Sequence, residues 1–288
     1  MGIDPSRLRD QGRQRQRQGL MLRLAHWIAA AGLCAACQLA WAAPAEVWLE
    51  AMTSPELRSA IAAGTTTVLL PIGGTEQNGA HMVLGKHNLR VKLLAERIAR
   101  TLGHTVVAPV LAYVPEGAIH PPTAHMRYAG TLSVPEKAFE GMLEGAAASL
   151  AQHGLRDIVL LGDHGGYQAS LARVAQRFNR DPAHRGSRVH ALPEYYRASQ
   201  AGFAQWLQAQ GHAASAIGEH AGLADTALTL ALAPQAVRLD LLARPAKPAE
   251  LDGVSGDPRQ ASLALGQAGV EQIVAASVTA IRAGLAER

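Results

Sequence analysis

"TTTVLLPIGGTEQNGAHMVLGKHN", residues 65–88, opens on an apolar, β-branched run and closes on a loop that packs Glu76, His81, His87 and four glycines together. The run from Thr65 to Gly74 reads as a buried strand, and the loop after it carries several side chains competent to bind a metal. The rest of the chain repeats the pattern of apolar run, polar loop and amphipathic stretch. Helices are expected over 89–103, closed by Gly103, over 135–154 with Pro135 in the first turn, from about 168 to 179, and near 196–210. Strands are expected at 105–114, 157–163 and 188–195. A long amphipathic helix follows from about Pro258, with Asp257 as its N-cap. This alternation predicts an α/β fold with a mostly parallel sheet covered by crossover helices.

The chain does not begin with that domain. From Met21, Arg23 and His26 precede an apolar stretch over 27–36, and Ala40, Trp41 and Ala42 fit a signal-peptidase site. Residues 1–42 therefore read as an upstream extension and a secretory signal cleaved after Ala42, which predicts a periplasmic or secreted protein. Six of the 27 basic residues and two of the 23 acidic ones precede residue 43, so 21 of each sign remain. The mature chain is formally neutral, and no basic patch argues for nucleic acid. Both cysteines, Cys34 and Cys37, also fall in the leader, leaving no disulfide or thiolate ligand beyond it. Neither has leucine three residues earlier, which disfavours a lipoprotein anchor. No later apolar run reaches the roughly 18 residues of a membrane span. Residues 43–288 suit one domain, since the linker-like "RPAKPAELDGVSGDP" (244–258) is too short to divide it.

In an open parallel sheet, ligands collect where the strands end. Three chemically loaded segments follow predicted strands: "GGTEQNGAHMVLGKH", "PEGAIHPPTAHMRYAGT" and "GDHGGYQ". A fourth, "GEHAGLADT" (218–226), precedes an apolar helix. They supply Glu76, His81 and His87; His120 and His125; Asp163 and His164; and Glu219, His220 and Asp225. Carboxylate and imidazole ligands without thiolate suit Zn, Mn or Fe(II). Such a metal lowers the pKa of bound water to about 7 and polarises a carbonyl, so hydrolysis is the natural outcome. Each residue also has a plainer reading: Glu76 as a solvated loop acid, His87 bonded to loop backbone, His120 as structural, Asp225 as a helix cap. It is the convergence of several such loops that favours a site.

These blocks resemble the creatininase family of metal-dependent amidohydrolases over residues 65 to the C-terminus. "PIGGTEQNGAHMVLG", "AHMRYAGTLSV", "DIVLLGDHGG", "HAGLADTALTLALAPQAVRLD" and "GVSGDPRQAS" follow one another in the family's order. The resemblance implies a Rossmann-like three-layer α/β/α sandwich, a two-metal centre, hydrolysis of a cyclic amide or related C–N bond, and often a homohexamer. It implies metal ligation by Glu76, a site role for His164, and proton transfer or substrate contact for His220. Asp225 stands where the family often has a ligating glutamate. Asn78 replaces a ligand histidine for the second metal, and His87 replaces the aspartate that bridges both. A neutral imidazole offers one lone pair and cannot bridge.

The sequence thus predicts a single-metal centre of Glu76, His87 and His164, with Asp225 or Asp163 as fourth ligand. His220 or Glu219 would serve as acid or base, and His81, His120 and His125 would contact substrate. The function expected is hydrolysis of a small cyclic amide, lactam or lactone by a homo-oligomer. The alternative is a degenerate relative that binds a small molecule without turnover.

Overall fold

The computed structural model describes residues 46–242 and 253–287; the expected leader, its cleavage point and both cysteines lie outside the described residues. Four strands, β1 (Thr67–Ile72), β2 (Thr105–Val107), β3 (Asp157–Gly162) and β4 (Arg188–Ala191), pair in parallel in the order β2-β1-β3-β4. Register places Thr67 beside both Thr105 and Asp157, and Asp157 beside Arg188.

Every residue of β1 and of β3 is buried, which requires cover on both faces. Side chains alternate between the two sides accordingly. Val68, Leu70 and Ile72 pack with Ile158 and Leu160 under α3 (Glu136–Gln152) and α4 (Gln168–Arg180), through Phe139, Leu143, Leu171 and Val174. Leu69, Val159 and Leu161 face the other way, onto Val91, Leu94 and Ile98 of α2 (Lys86–Leu102), with α7 (Leu223–Leu232) and α8 (Leu263–Ala286) behind. The result is a three-layer α/β/α sandwich around a parallel sheet. Each fully buried Leu or Ile contributes about 1.5–3 kcal/mol on transfer from water. Before the sheet, α1 (Ser54–Ala62) starts with a capping box in which Thr53 and Glu56 satisfy each other's backbone.

Several boundaries shift for physical reasons. The ladder expected over 105–114 stops at Val107, because Pro109 has no N–H to give it. Leu111 rejoins β1 through an isolated bridge to Ile72, and Gly73 N donates to Leu111 O at 2.9 Å. The strand expected over 188–195 ends at Ala191, since Pro193 opens α5 (Pro193–Arg197). A π-turn at Ala198–Gly202 then leads into α6 (Phe203–Ala209). Asp257 caps a single 3-10 turn, Pro258–Gln260, while the long C-terminal helix takes Ser262 as its N-cap. Although α8 is long and apolar enough by composition to cross a membrane, Val270, Ile273, Val278 and Ile281 pack one face of it into the core.

One shift positions the site. Helix α2 starts at Lys86, three residues earlier than expected, so Lys86, His87 and Arg90 lie in its first two turns and point inward, buried.

Candidate metal centre

The site forms where β1, β2 and β3 run out. At the end of β1, Gly74 has φ +154°, and a Cβ there would stand 2.5 Å from Glu116 Oε1. Glycine therefore lets the second loop's carboxylate come against the first loop. Glu76 N donates to Leu84 O at 3.1 Å, closing the first loop over its own acid. The second loop is held by Leu132 N, which donates to Thr75 O at 2.9 Å, and by Glu116 N, which donates to Ser133 Oγ at 3.0 Å. The third is tied to β1 through Tyr167, whose hydroxyl lies 2.8 and 2.6 Å from the carbonyls of Ile72 and Gly73 and accepts from His164 N at 3.0 Å.

These loops bring together Glu76, Glu116, His125 and His164, each with a ligand atom within 4.8 Å of the others. His125 Nδ1 and His164 Nε2 lie 3.2 and 3.6 Å from Glu76 Oε2, and His164 Nδ1 lies 3.5 Å from Glu116 Oε2. Yet Glu76 Oε2 and both oxygens of Glu116 are buried without a hydrogen-bond partner among the described residues. Native interiors rarely leave a carboxylate in that condition. A divalent cation would give these carboxylates a partner, and two carboxylates with two imidazoles form a set that Zn, Mn or Fe(II) accepts. The residues present fit a metal.

Electrostatics point the same way. Burial, reinforced by Glu76, raises the Glu116 pKa to about 9, so the carboxyl keeps its proton until a cation displaces it. Burial would also raise Glu76, but the facing His87 and Lys86 outweigh it and hold that acid well below the usual range. Burial pushes His164 down to about 3 and lowers His125, leaving both as neutral imidazoles, with Gly166 N donating to His164 Nδ1 at 3.2 Å and Gln77 Nε2 3.2 Å from His125 Nδ1.

A second layer surrounds this set. His87 spans two acids, with Nε2 2.8 Å from Glu76 Oε1 and Nδ1 2.6 Å from Asp163 Oδ2. Both ring nitrogens are engaged, so His87 braces Glu76 instead of presenting a free lone pair. Asp163 also accepts from Tyr195 Oη at 2.6 Å and Arg90 Nε at 3.1 Å. Asp225 is bound by Lys86 Nζ at 2.7 Å, by Ala221 N at 2.9 Å and by Arg90 Nη1. Burial opposes ionisation of Asp225, but Lys86 and Arg90 hold its pKa well down. The oxygens of Asp163 and Asp225 are thus taken up by the cations of α2, and neither acid belongs to the four-residue cluster.

The histidines stand in a file, His87–His164, His164–His125 and His125–His220 having ring centroids 5.3, 5.6 and 4.7 Å apart. Of the expected ligands, the structure brings Glu76, His87 and His164 side by side and turns Asp163 and Asp225 toward Arg90 and Lys86. His125, expected at the substrate, joins the cluster. His220 places Nε2 2.8 Å from Gln77 O and Nδ1 3.6 Å from Glu76 Oε1. Glu219 beside it is exposed and makes no side-chain hydrogen bond among the described residues. His81 is buried against Thr226 Oγ1 at 3.1 Å, away from the cluster. His120 is exposed in the second loop. Sequence reasoning does not single out Glu116, Lys86, Arg90 or Tyr195, because a lone acid, two helix cations and a tyrosine give no signal until the loops meet.

A family model described as creatinine amidohydrolase matches residues 50–281. The chain belongs to the creatininase family. A creatinine amidohydrolase of Pseudomonas putida is 29% identical over 199 residues, 67% of this chain and 75% of its own. A 3-dehydro-scyllo-inosose hydrolase of Thermotoga maritima is 29% identical over 122 residues, 42% of this chain and 37% of its own. Among solved structures, a creatininase described with Mn superposes with a TM-score of 0.68 at 26% identity, covering 83% of this chain and 98% of that one. A mutant creatininase of Zn-Zn type gives the same TM-score, identity and coverage. Against this creatininase background, Asn78 has a bracing role: its Nδ2 donates to Glu76 O at 2.9 Å and Val83 O at 3.0 Å.

Proposed function

We propose that this protein is a metal-dependent hydrolase that opens the C–N bond of a small cyclic amide or lactam, or the C–O bond of a lactone, outside the cytoplasm. The observation that carries the reading is the meeting of Glu76 and Glu116, three of whose oxygens are buried without partners, with two neutral imidazoles. Glu76, Glu116, His125 and His164 hold one divalent cation per subunit. When bound, the metal supplies Lewis acidity and water of pKa about 7.

The chain's own groups do the rest. His220 donates from Nε2 to Gln77 O, which leaves its lone pair on Nδ1, the nitrogen nearer Glu76. Burial, aided by Lys86, holds its pKa down to about 4, so it is a neutral base at pH 7. It takes the proton of the attacking water and returns it to the leaving atom. His87 and Lys86 fix Glu76, and Arg90 fixes the two aspartates behind them.

The relatives named a creatinine amidohydrolase and an inosose hydrolase support a small substrate but not a single one. Asn78 and His87 disfavour creatinine itself. The leader over residues 21–42 supports export. Family resemblance supports a homohexamer, which light scattering tests.

Metal analysis of purified protein gives one equivalent per subunit, and a panel of lactams and lactones with Zn, Mn and Fe(II) gives turnover that His164→Ala abolishes. Two equivalents overturn the single site, and none overturns the metal. Turnover that survives both chelation and His164→Ala overturns the whole reading.

A further inference from the structure

Three tyrosines stand around the third loop, and two have structural duties. Tyr167 ties His164 N to the end of β1, and Tyr195 braces Asp163. The third, Tyr196, is half-buried, and its hydroxyl makes no hydrogen bond among the described residues. That hydroxyl lies against Gly165, the residue after His164: a Cβ on Gly165 would stand 2.5 Å from Tyr196 Oη and 3.2 Å from Cζ. Gly165 and Gly166 are exposed while His164 is partly buried, so the phenol sits where the cluster opens to solvent.

We infer that Tyr196 is a catalytic residue of this site: its hydroxyl donates a hydrogen bond to the substrate's carbonyl oxygen beside His164. The inference rests on the metal-dependent hydrolase reading and extends it to a group that no motif of the sequence marks.

The argument has three steps. A hydroxyl at the edge of a buried site with no protein partner is a donor in reserve. Burial, then the charges of Asp225 and Asp163 against that of Arg90, keep its proton in place, so it faces the substrate as O–H. A preorganised donor of this kind is most effective where negative charge develops on an acyl oxygen, because it needs no reorganisation during the step. Tyr195 and Tyr196 are consecutive on α5, so the helix that fixes Asp163 also aims the next phenol at Gly165.

The test uses the zinc-loaded full chain, with inorganic phosphate as a tetrahedral oxyanion probe in calorimetry. Tyr196→Phe should keep the wild-type metal content and Tm, because the hydroxyl supports nothing in the fold. It should weaken phosphate binding at least tenfold, the loss of one hydrogen bond to a charged acceptor. Gly165→Ala should weaken binding similarly by displacing the phenol, and the double variant should be no worse than the poorer single one. On the substrate found in the lactam and lactone panel, Tyr196→Phe should lower kcat by tenfold to a hundredfold with a smaller change in KM. Equal phosphate affinity in wild type and Tyr196→Phe overturns the inference, as do additive losses in the double variant. Phosphate binding that ignores chelation overturns the metal reading independently of Tyr196. No binding to wild type at millimolar phosphate overturns the inference, while the metal reading stands or falls on the metal analysis alone.

Discussion

Replacing Arg90 by methionine removes a guanidinium that is fully buried and bridges two acids. In the wild type, Arg90 Nη2 lies 2.9 Å and Nε 3.1 Å from Asp163 Oδ2, and Nη1 holds Asp225 Oδ1. Methionine restores most of the volume, so the loss is mainly electrostatic. Breaking a buried pair by removing one partner costs about 3–5 kcal/mol. Asp163 retains His87 and Tyr195, and Asp225 retains Lys86 and Ala221 N, which puts the cost toward the lower end of that range. For a domain of this size each kcal/mol moves Tm by about 2–4 °C, so the metal-free variant should melt roughly 6–12 °C below wild type. Calorimetry or circular dichroism after chelation measures it, with reversibility checked by a second scan.

The pH dependence supplies the sign. Asp225 has a folded pKa well below its unfolded value, so the stability it confers is fully present above about pH 4 and is lost as pH falls toward the folded pKa. The gap between wild type and Arg90→Met should therefore be widest near neutrality and shrink in acid. A Tm within about 2 °C of wild type, roughly the smallest shift one kcal/mol produces, or a gap that does not change between neutral and acid pH, refutes the idea that Arg90 compensates charge.

Zinc at a hundred times its Kd should stabilise the protein by about 2.7 kcal/mol, roughly 5–10 °C in Tm, and chelator should reverse the shift. Glu116→Gln should raise the metal-free Tm at neutral pH, since a carboxyl forced to keep its proton by burial costs stability that a neutral amide does not, yet abolish the response to zinc; a retained response would remove Glu116 from the ligand set. Leu94→Ala in the core face of α2 should cost about 2–5 kcal/mol by urea unfolding while leaving one metal equivalent per folded subunit. Arg173→Ser breaks the exposed contacts with Glu136 and Glu140 and should not move Tm measurably at 0.15 M salt, roughly physiological ionic strength.

The fold was open to sequence reading because β1, β2 and β3 are fully buried, and an unbroken apolar run such as 67–72 has few other uses. Boundaries failed where one residue carried the decision: Pro109 stops β2, and Pro193 opens α5 where strand was expected. The start of α2 was hidden for a different reason. Lys86 and His87 fell in the expected loop, His87 as a candidate ligand, and Arg90 in the first turn of the expected helix; only the presence of Asp163 and Asp225 across the interior makes burying them favourable. The same pairing explains why two acids singled out as ligands instead neutralise cations. Glu116 was hard to see because its importance comes from Gly74, 42 positions earlier, which admits it to the first loop. Glu219 and His220 are neighbours with equal claims on paper. The bridge between His220 and Ser255 settles which one turns inward.

Glu76, Glu116, His125 and His164 hang from three separate crossovers, and no short peptide contains them all. An unfolded chain therefore offers a cation only scattered single donors, and a tight grip appears only after β1, β2 and β3 have zipped together. If the leader threads this polypeptide through a membrane before it folds, the choice of ion falls to whatever is abundant at the destination. The same apoprotein folded in the cytoplasm of a production host would then carry a different ion, and its specific activity would depend on where it was made.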